Sequence, residues 1–257
     1  MKRYAFKIQY VGKNYQGSQV QFQNGNHSAF PTIQGEVEKA ICTFLFGNPE
    51  NNNRQVRTIF SGRTDKGVNS LGQTAHFDTD KTIVASSFVY GVNAILPNDI
   101  SISDFQEVEK TFHAQKSATK RHYRYEFINR SYKNAFDGNL MRVKFPISVE
   151  RMQQALNYIT GEHDFSSFKS SGTLNPSKVC FIYRAECQKI GDKVIIDIEG
   201  NRFLYNMVRA IIGTLLDIEG HNLAPKHMQE VLAAKDRTKA GQNVSPYGLT
   251  LIEVTYN

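Results

Sequence analysis

Hydrophobic and polar residues alternate over several short stretches of the chain, as they do in strands that bury one face. At the N-terminus, Tyr4, Phe6, Ile8 and Tyr10 occupy every second position. Residues 122–128 follow the same period and place their aromatic residues on one face. The pattern predicts strands at the N-terminus, into Phe60, around Thr74–Phe77, at His122–Ile128, at Lys193–Glu199 and at Leu249–Tyr256.

Elsewhere apolar residues recur every three or four positions, which predicts helices. Thr32 and Ser148 precede two of these segments, and both residue types commonly cap helix N-termini. The predicted helices follow Thr32, span Phe88–Leu96, run from Ser148 to Gly161, span Arg202–Leu216 and begin near Pro225.

The order of these elements indicates an α+β fold, because strands and helices mix without regular alternation. Each half of the chain contains, in order, a strand, a helix, further strands, a second helix and a last strand. The pattern breaks near Val108–Ser117. We therefore predict two related halves, residues 1–110 and 111–257, that join their sheets.

Length and composition bound the class of protein. The 257 residues, 40% of them hydrophobic, suffice for one large domain or two small ones. No run approaches the roughly 18 apolar residues of a membrane span. The start of the chain lacks the apolar segment of a signal peptide. We therefore expect a cytoplasmic protein without a membrane partner.

Metal and cofactor sites are not indicated. The three cysteines, Cys42, Cys180 and Cys187, form no C-x-x-C pair and have no histidine cluster nearby. No glycine-rich phosphate loop follows a predicted strand. The sequence predicts reduced structural thiols, no metal site and no cofactor.

The charge balance bears on the partner. Lys and Arg number 31 against 24 Asp and Glu, a formal net charge of +7. A basic excess favours RNA or DNA, because cations neutralise phosphates and release counterions. Many soluble proteins are equally basic, so charge alone leaves a nucleic-acid partner at even odds.

Asp65 is the first candidate for chemistry. It lies in the turn Ser61–Gly67, where Gly62 and Gly67 permit unusual backbone angles and leave space for a ligand. An aspartate that only caps a turn is the commoner use of this residue type in loops.

Arg209 is the second candidate. It lies beside Val208 and Ile211, so its guanidinium should be partly buried and should need an anionic partner. Its helix offers no acid before Asp217, which makes Asp65 the candidate partner. The alternative is an arginine at a helix edge whose charged end reaches solvent.

Tyr123 is the third candidate. Basic and aromatic residues interleave over Lys120–Tyr125, and such a segment suits RNA, since rings stack on bases while cations meet phosphates. A strand with aromatic residues inward and charges outward has the same pattern and is equally common.

These segments together resemble the tRNA pseudouridine synthase A family. Residues 61–68, SGRTDKGV, resemble the family's GRTD-x-GV signature, and further matches follow in the family's order along nearly the whole chain. They include Tyr15–Gly17, Thr32–Gln34, Ala75–Phe77, Leu96–Ile100, Phe112–Ala114, Tyr123–Tyr125, Asp164–Phe168, Phe203–Arg209, Gly213–Leu216, Ala233–Arg237 and Ala240–Gly241.

The resemblance implies a pseudouridine synthase fold, with a continuous antiparallel sheet flanked by helices and a basic central cleft. It implies a homodimer that binds tRNA and isomerises uridines at positions 38 to 40 of the anticodon stem-loop without a cofactor. The family's catalytic Asp maps onto Asp65, and its active-site Tyr and basic residue map onto Tyr123 and Arg209. We assign Arg63 and Leu249 to substrate binding. Arg63 would fill the space that the base vacates or bind a phosphate, and Leu249 would pack under the base.

The reaction breaks the N1–C1′ bond of uridine and rejoins the base through C5, so one ionised carboxylate beside the ribose is required. Asp65 can add to C1′ or remove the C2′ proton, and both routes stay open. A catalytic paralogue that acts on another RNA and a non-catalytic RNA-binding paralogue are the alternatives. A nucleoside hydrolase would need a second acid or a metal, and the sequence shows neither.

Four positions depart from the usual family pattern. Val11 stands where the family usually has Asp, Ser18 where it has Trp, Asn69 where it has His, and Gln115 where it has Arg. None belongs to the set Asp65, Tyr123 and Arg209, so the departures are expected to affect RNA placement and the choice of uridine rather than the chemistry.

Overall fold

The computed structural model describes residues 1–20, 22–23, 26–27, 30–47, 55–170 and 177–256. The strands are β1 (Lys2–Tyr10), β2 (Phe22–Gln23), β3 (Asn26–His27), β4 (Ile59–Phe60), β5 (Asn69–Thr79), β6 (Ile100–Val108), β7 (Ala118–Asn129), β8 (Met141–Val143), β9 (Gly161–Asp164), β10 (Val179–Ile190), β11 (Lys193–Gly200) and β12 (Leu249–Tyr256). The α-helices are α1 (Ile33–Phe46), α2 (Ala85–Ile95), α3 (Val149–Asn157), α4 (Met207–Gly220) and α5 (His227–Ala234).

The chain forms two compact units. The first contains Met1–Ala118 with Leu251–Asn257, and the second contains Thr119–Thr250. These limits differ from the predicted halves, 1–110 and 111–257, because most of the last strand groups with the first unit. There the Ser70 hydroxyl donates a 3.3 Å hydrogen bond to the carbonyl of Leu251.

The first unit is built on β1, which pairs antiparallel with β5 on one side and with β6 on the other. The predicted alternation is confirmed, since Tyr4, Phe6, Ile8 and Tyr10 are each at most 4% exposed. Helices α1 and α2 add apolar side chains to this core. They approach closely where α2 has Gly91, because a Cβ there would come within 2.4 Å of the Phe44 ring.

The first helix begins where the sequence predicts. Thr32 has extended backbone angles, and its hydroxyl accepts a 3.2 Å hydrogen bond from the N–H of Gly35. This bond satisfies one of the free N–H groups at the helix start. Gly47, with a φ of +80°, ends the helix.

The second unit places β7, β11, β10 and β9 side by side in an antiparallel arrangement, with β8 parallel to β7. The predicted strand at Lys193–Glu199 is β11, and six of its eight residues are buried. Ser148 caps α3 as predicted, through a 3.2 Å bond from the N–H of Arg151. α4 is buried on most sides, as its apolar sequence requires.

One predicted helix begins later than expected. The apolar segment was predicted to be helical from Arg202, but α4 starts at Met207. Asn206 has a φ of +62°, a left-handed conformation that cannot belong to a right-handed helix. The residues from Arg202 to Tyr205 therefore lie outside the helix.

The prediction of an α+β fold with a large sheet flanked by helices is confirmed. Within the described residues, β2 and β3 form a pair that is separate from the large sheet. In the first unit the order is β6-β1-β5 with β4 on β5, and in the second it is β7-β11-β10-β9. Within the described residues, no helix has both the length and the apolar character needed to cross a bilayer.

Candidate active site

The turn that carries Asp65 lies between β4 and β5 in the first unit. The Ser61 N–H donates a 2.8 Å bond to the Thr74 carbonyl, and the Gln73 side chain donates one of 2.8 Å to the carbonyl of Gly62. The Val68 N–H closes the turn on the Asp65 carbonyl at 3.1 Å. Asp65 itself is half-buried on a turn that strand β5 supports along its length.

The two glycines of this turn differ in their contribution. Gly67 has a φ of +82°, which favours glycine, so the predicted conformational freedom is used there. Gly62 has no positive φ, and a Cβ at its position would meet nothing within 4 Å. Arg63, between Gly62 and Thr64, is exposed and can reach a ligand outside the turn.

Two of the four departures from the family pattern support this turn. Ser18 is 1% exposed, and its hydroxyl accepts a 2.8 Å hydrogen bond from the N–H of Thr64. The Asn69 side chain accepts a 3.0 Å bond from the N–H of Gly12. Ser18 is buried, so its side chain contacts the turn and not the solvent. The effect of this departure on RNA placement stays a prediction.

The other two departures face solvent. Val11 is 54% exposed, and Gln115 is also exposed. Positions of this kind can contact a ligand directly, so the loss of a charged residue there fits the predicted effect on RNA placement.

Tyr123 lies on β7 in the second unit, opposite Ile198 of β11. The ring is half-buried and contacts Phe203 edge to face, with centroids 5.1 Å apart. Phe203 belongs to the segment that was predicted to be helical and instead precedes α4. The irregular backbone there allows one ring to brace the other.

The basic residues next to Tyr123 contact acidic residues of the same unit. His122 and Arg124 point to the opposite face of β7, and both contact the Asp197 carboxylate, at 2.6 and 3.0 Å. Lys120 pairs with Glu199 at 2.8 Å. These ion pairs hold the basic side chains within the second unit, and their contact with phosphates stays a prediction.

Arg209 lies on the third residue of α4 and is half-buried. Its Nε donates a 2.8 Å hydrogen bond to the Val244 carbonyl, and one terminal nitrogen donates a 2.8 Å bond to the Asn206 side-chain oxygen. Sequence reasoning looked for an acid and missed these neutral acceptors. An asparagine just before the helix was the available signal. The pairing of Arg209 with Asp65 stays a prediction.

Segment 244–249 connects Arg209 with the aromatic face of β7. The Tyr125 hydroxyl donates a 2.9 Å bond to the carbonyl of Ser245, next to Val244. Burial raises the pKa of Tyr125, and the positive charge of Arg209 opposes that rise. The guanidinium is therefore close enough to this phenol to interact with it electrostatically. The segment leads into Leu249, which is 6% exposed.

The contact of this segment with β7 is tight. A Cβ at Gly248 would lie 2.3 Å from the carbonyl oxygen of Glu126 and 3.1 Å from the Tyr125 ring. Only glycine allows this approach, so Gly248 sets where Leu249 begins the last strand. Tyr125, Arg209 and Leu249 thus belong to one packed region of the second unit.

Metal ligands do not gather in the parts of the chain that the structure describes. No group of three or more His, Cys, Asp or Glu side chains has a geometry that could hold a metal ion there. Burial raises the pKa of the Cys180 thiol to about 11 and that of the Cys187 thiol to about 12. Both thiols are therefore protonated at neutral pH.

Comparison with known proteins finds full-length relatives. Residues 155–257 match a family described as tRNA pseudouridine synthase. The chain is 38% identical to a tRNA pseudouridine synthase A of Brevibacillus brevis, with both chains covered completely. It is 40% identical to one of Coxiella burnetii, covering all of this chain and 94% of the relative. Among solved structures, a Cbf5-Nop10-Gar1 complex matches with a TM-score of 0.43 and 12% identity, over 97% of this chain and 49% of that one.

Proposed function

The chain belongs to the tRNA pseudouridine synthase A family, and from this premise we propose that it isomerises uridine to pseudouridine in tRNA. The observation that carries the proposal is identity of 38–40% along the whole chain to relatives of that name. The residues that the chemistry needs are present: Asp65 on a braced turn, Tyr123 on β7 and Arg209 on α4.

Asp65 is the catalytic carboxylate in this proposal. Cleavage of the N1–C1′ bond leaves the ribose electron-poor, and an ionised carboxylate stabilises that state. Asp65 either adds to C1′ or takes the C2′ proton. In the first route C5 of the turned uracil displaces the carboxylate as the C5–C1′ bond forms, and in the second Asp65 returns the proton to C2′ when that bond forms. The C5 hydrogen finally leaves as a proton and N1 gains one, so the reaction needs no oxidant or reductant.

Tyr123 and Arg209 serve the base and the carboxylate. The uridine must first leave its stack, at a cost of a few kcal/mol. The Tyr123 ring then stacks on the extruded uracil, and its hydroxyl helps to remove the C5 proton. Arg209 keeps a carboxylate ionised and oriented through a charge-assisted hydrogen bond. Arg63 contacts the vacated position or a phosphate, and Leu249 packs under the base.

The finer assignment concerns the target and the assembly. We propose that the uridines lie at positions 38, 39 or 40 of the anticodon stem-loop, that the protein acts as a homodimer and that it works in the cytoplasm. The predicted basic cleft stays a prediction.

Stem-loops that carry a single uridine at 38, 39 or 40 test the target. Equal rates at all three would show that Val11, Ser18, Asn69 and Gln115 do not narrow the range. Light scattering of the purified protein measures the assembly.

Tritium release tests the reaction itself. With tRNA labelled by tritium at C5 of uridine, the native protein should release tritium to water and leave an intact strand. A non-catalytic RNA-binding protein would release none, and a hydrolase would leave abasic RNA. Asp65→Asn keeps the side-chain shape without its charge, so it should abolish release while the dissociation constant for tRNA changes only a few-fold. Substantial turnover by this variant would remove Asp65 from the mechanism.

A further inference from the structure

Ser18 is buried beside the turn that carries Asp65. The residue is 1% exposed. Its Oγ accepts a hydrogen bond from the N–H of Thr64 over 2.8 Å, and its own N–H donates to the Thr64 carbonyl over 3.0 Å. One serine therefore binds both backbone polar groups of the residue that precedes Asp65.

These two bonds act on the backbone of Asp65. The Thr64 carbonyl lies in the same planar peptide unit as the nitrogen and Cα of Asp65. Holding that carbonyl fixes the plane from which the Asp65 side chain departs. On the other side, the Asp65 carbonyl accepts the 3.1 Å bond from Val68, so the backbone is held both before and after the carboxylate.

The neighbours of Ser18 hold the same residue. Gly17 has a φ of +109°, and a Cβ there would come within 2.9 Å of the Thr64 carbonyl oxygen. The Tyr10 hydroxyl shares a 2.8 Å hydrogen bond with the Thr64 hydroxyl in the core. Burial raises the pKa of Tyr10 to about 12, so the phenol keeps its proton at neutral pH. Every polar atom of Thr64 thus has a partner in segment 10–18.

We propose that Ser18 is a positioning residue for Asp65, acting through Thr64, and that Gly17 and Tyr10 assist it. The inference rests on the proposed catalytic role of Asp65. Its basis is that a reacting group displaced by about 1 Å can lose about a hundredfold in rate, while substrate binding elsewhere is unchanged. Ser18 has no route to the substrate except through the turn, because it is buried.

Ser18→Ala removes the acceptor and leaves the Thr64 N–H buried without its partner. We expect the single-turnover rate of tritium release from bound tRNA to fall about tenfold or more. The dissociation constant for tRNA should stay within about twofold, since no RNA contact is lost. A residue with a purely structural role would lower the melting temperature without this split between rate and affinity.

Ser167→Ala is the matched control. Ser167 is 0% exposed in the second unit, and its Oγ likewise accepts from a backbone N–H, that of Asp236 at 2.9 Å, and donates to a backbone carbonyl. The substitution removes the same atoms from a comparable environment. It should lower the melting temperature by a similar amount and leave the single-turnover rate unchanged.

Ser18→Cys keeps nearly the same side-chain size and replaces the oxygen with a weak acceptor. The single-turnover rate of Ser18→Cys should also fall. Because this variant keeps the side-chain volume, its rate separates the effect of losing the hydrogen bond from the effect of losing volume. If Ser18→Ala does not fold at the assay temperature, Ser18→Cys decides: a native rate overturns the proposal, and a reduced rate at native affinity supports it. Equal rates for Ser18→Ala and Ser167→Ala would overturn it as well. If the native protein releases no tritium, the proposed function fails instead.

Discussion

At the residue scale, Arg209 and Tyr123 each have neutral neighbours that fix the direction of the side chain. Arg209 bonds to a backbone carbonyl and to an asparagine, and the Tyr123 ring rests on Phe203. A guanidinium that donates to neutral acceptors forms charge-assisted hydrogen bonds, and these fix its direction. We therefore expect that replacing these neutral neighbours would change the direction of the Arg209 and Tyr123 side chains, and with it the activity.

Two substitutions of Tyr123 can separate its proposed role in stacking from its proposed role in proton transfer. Tyr123→Phe keeps the ring and should bind tRNA normally, but it should turn over more slowly if the hydroxyl takes part in removing the C5 proton. Tyr123→Ala should lose both rate and affinity, since stacking on a base is worth about 1–3 kcal/mol. Measuring both the dissociation constant for tRNA and the single-turnover rate of each variant distinguishes stacking from proton transfer. A Phe variant with the native rate would confine Tyr123 to stacking.

Asn206 should matter for the orientation of Arg209. Asn206→Gly keeps the φ of +62° without strain and removes the acceptor of the 2.8 Å bond from Arg209. We expect the single-turnover rate to fall about tenfold, by analogy with the loss of other orienting hydrogen bonds. Asn222→Gly is the control: Asn222 also has a positive φ, and its side-chain oxygen accepts a 2.8 Å bond from Arg151. Equal rates in the two variants would argue against an orienting role for Asn206.

At the element scale, close backbone approaches position the helices that carry these residues. α4 contacts segment 241–244, which supplies the carbonyl that binds Arg209. A Cβ at Gly213 would lie 1.9 Å from the carbonyl oxygen of Gln242, a separation that no side chain can accommodate. The position of segment 241–244 therefore depends on a glycine in the middle of a helix, where propensity alone disfavours it.

Gly213→Ala should lower the free energy of unfolding by about 3 kcal/mol, since overpacking against backbone cannot relax by a rotamer change. It should also lower the catalytic rate, because Val244 moves with the segment. Gly220→Ala, in the same helix, is the control: its Cβ would meet only the Phe145 ring, at 3.3 Å, and the free energy should change by less than about 1 kcal/mol. Thermal unfolding of both variants measures the difference, and equal melting temperatures would contradict the close approach.

Strand β5 contains a histidine that makes stability depend on pH. His76 is 2% exposed, its Nδ1 accepts a 3.1 Å bond from the Ala114 N–H, and burial lowers its pKa from 6.5 to about 4. Between these two values the unfolded chain binds a proton that the folded chain does not. The stability contributed by His76 is therefore present above pH 6.5 and is lost as pH falls toward 4.

His76→Asn removes this titration and keeps an acceptor near Ala114. From pH 7.5 to 4.5, the native protein should lose about 2 kcal/mol more unfolding free energy than the variant does. Denaturant titrations at the two pH values measure the losses. Equal losses would mean that His76 does not carry the acid sensitivity.

At the scale of the whole molecule, the net charge of +7 and the described ion pairs bear on how RNA is bound. Several basic side chains that looked available in the sequence contact acids, as His122 and Arg124 contact Asp197. We expect binding to the phosphate backbone to use exposed cations instead, such as Arg63 and Lys66.

Affinity for tRNA should fall steeply with salt, because each neutralised phosphate releases counterions. The slope of log affinity against log salt should be roughly 0.7–0.9 per phosphate contacted. Asp65→Asn should show the same slope, since the substitution leaves phosphate contacts intact. A flat response to salt, measured by filter binding between low and physiological salt, would contradict binding along the phosphate backbone.

Much of this protein was determined by local sequence. The alternation over Tyr4–Tyr10 predicted a buried strand face, and Thr32 and Ser148 predicted the starts of α1 and α3. The turn around Asp65 was also recognisable, because its glycines and its signature lie within eight residues. Each of these features depends on residues a few positions apart, where backbone geometry links pattern to structure directly.

Other features were decided only by tertiary structure. The start of α4 moved because Asn206 adopts a left-handed conformation, which the apolar pattern does not encode. Ser18 supports a turn 46 residues away, and Arg209 finds its carbonyl 35 residues away. The partners in such contacts are chosen by how the folded backbone brings distant segments together. Local periodicity carries no information about residues that are far apart in the sequence. Only the assembled fold therefore determines which neutral atom hydrogen-bonds to a buried polar group.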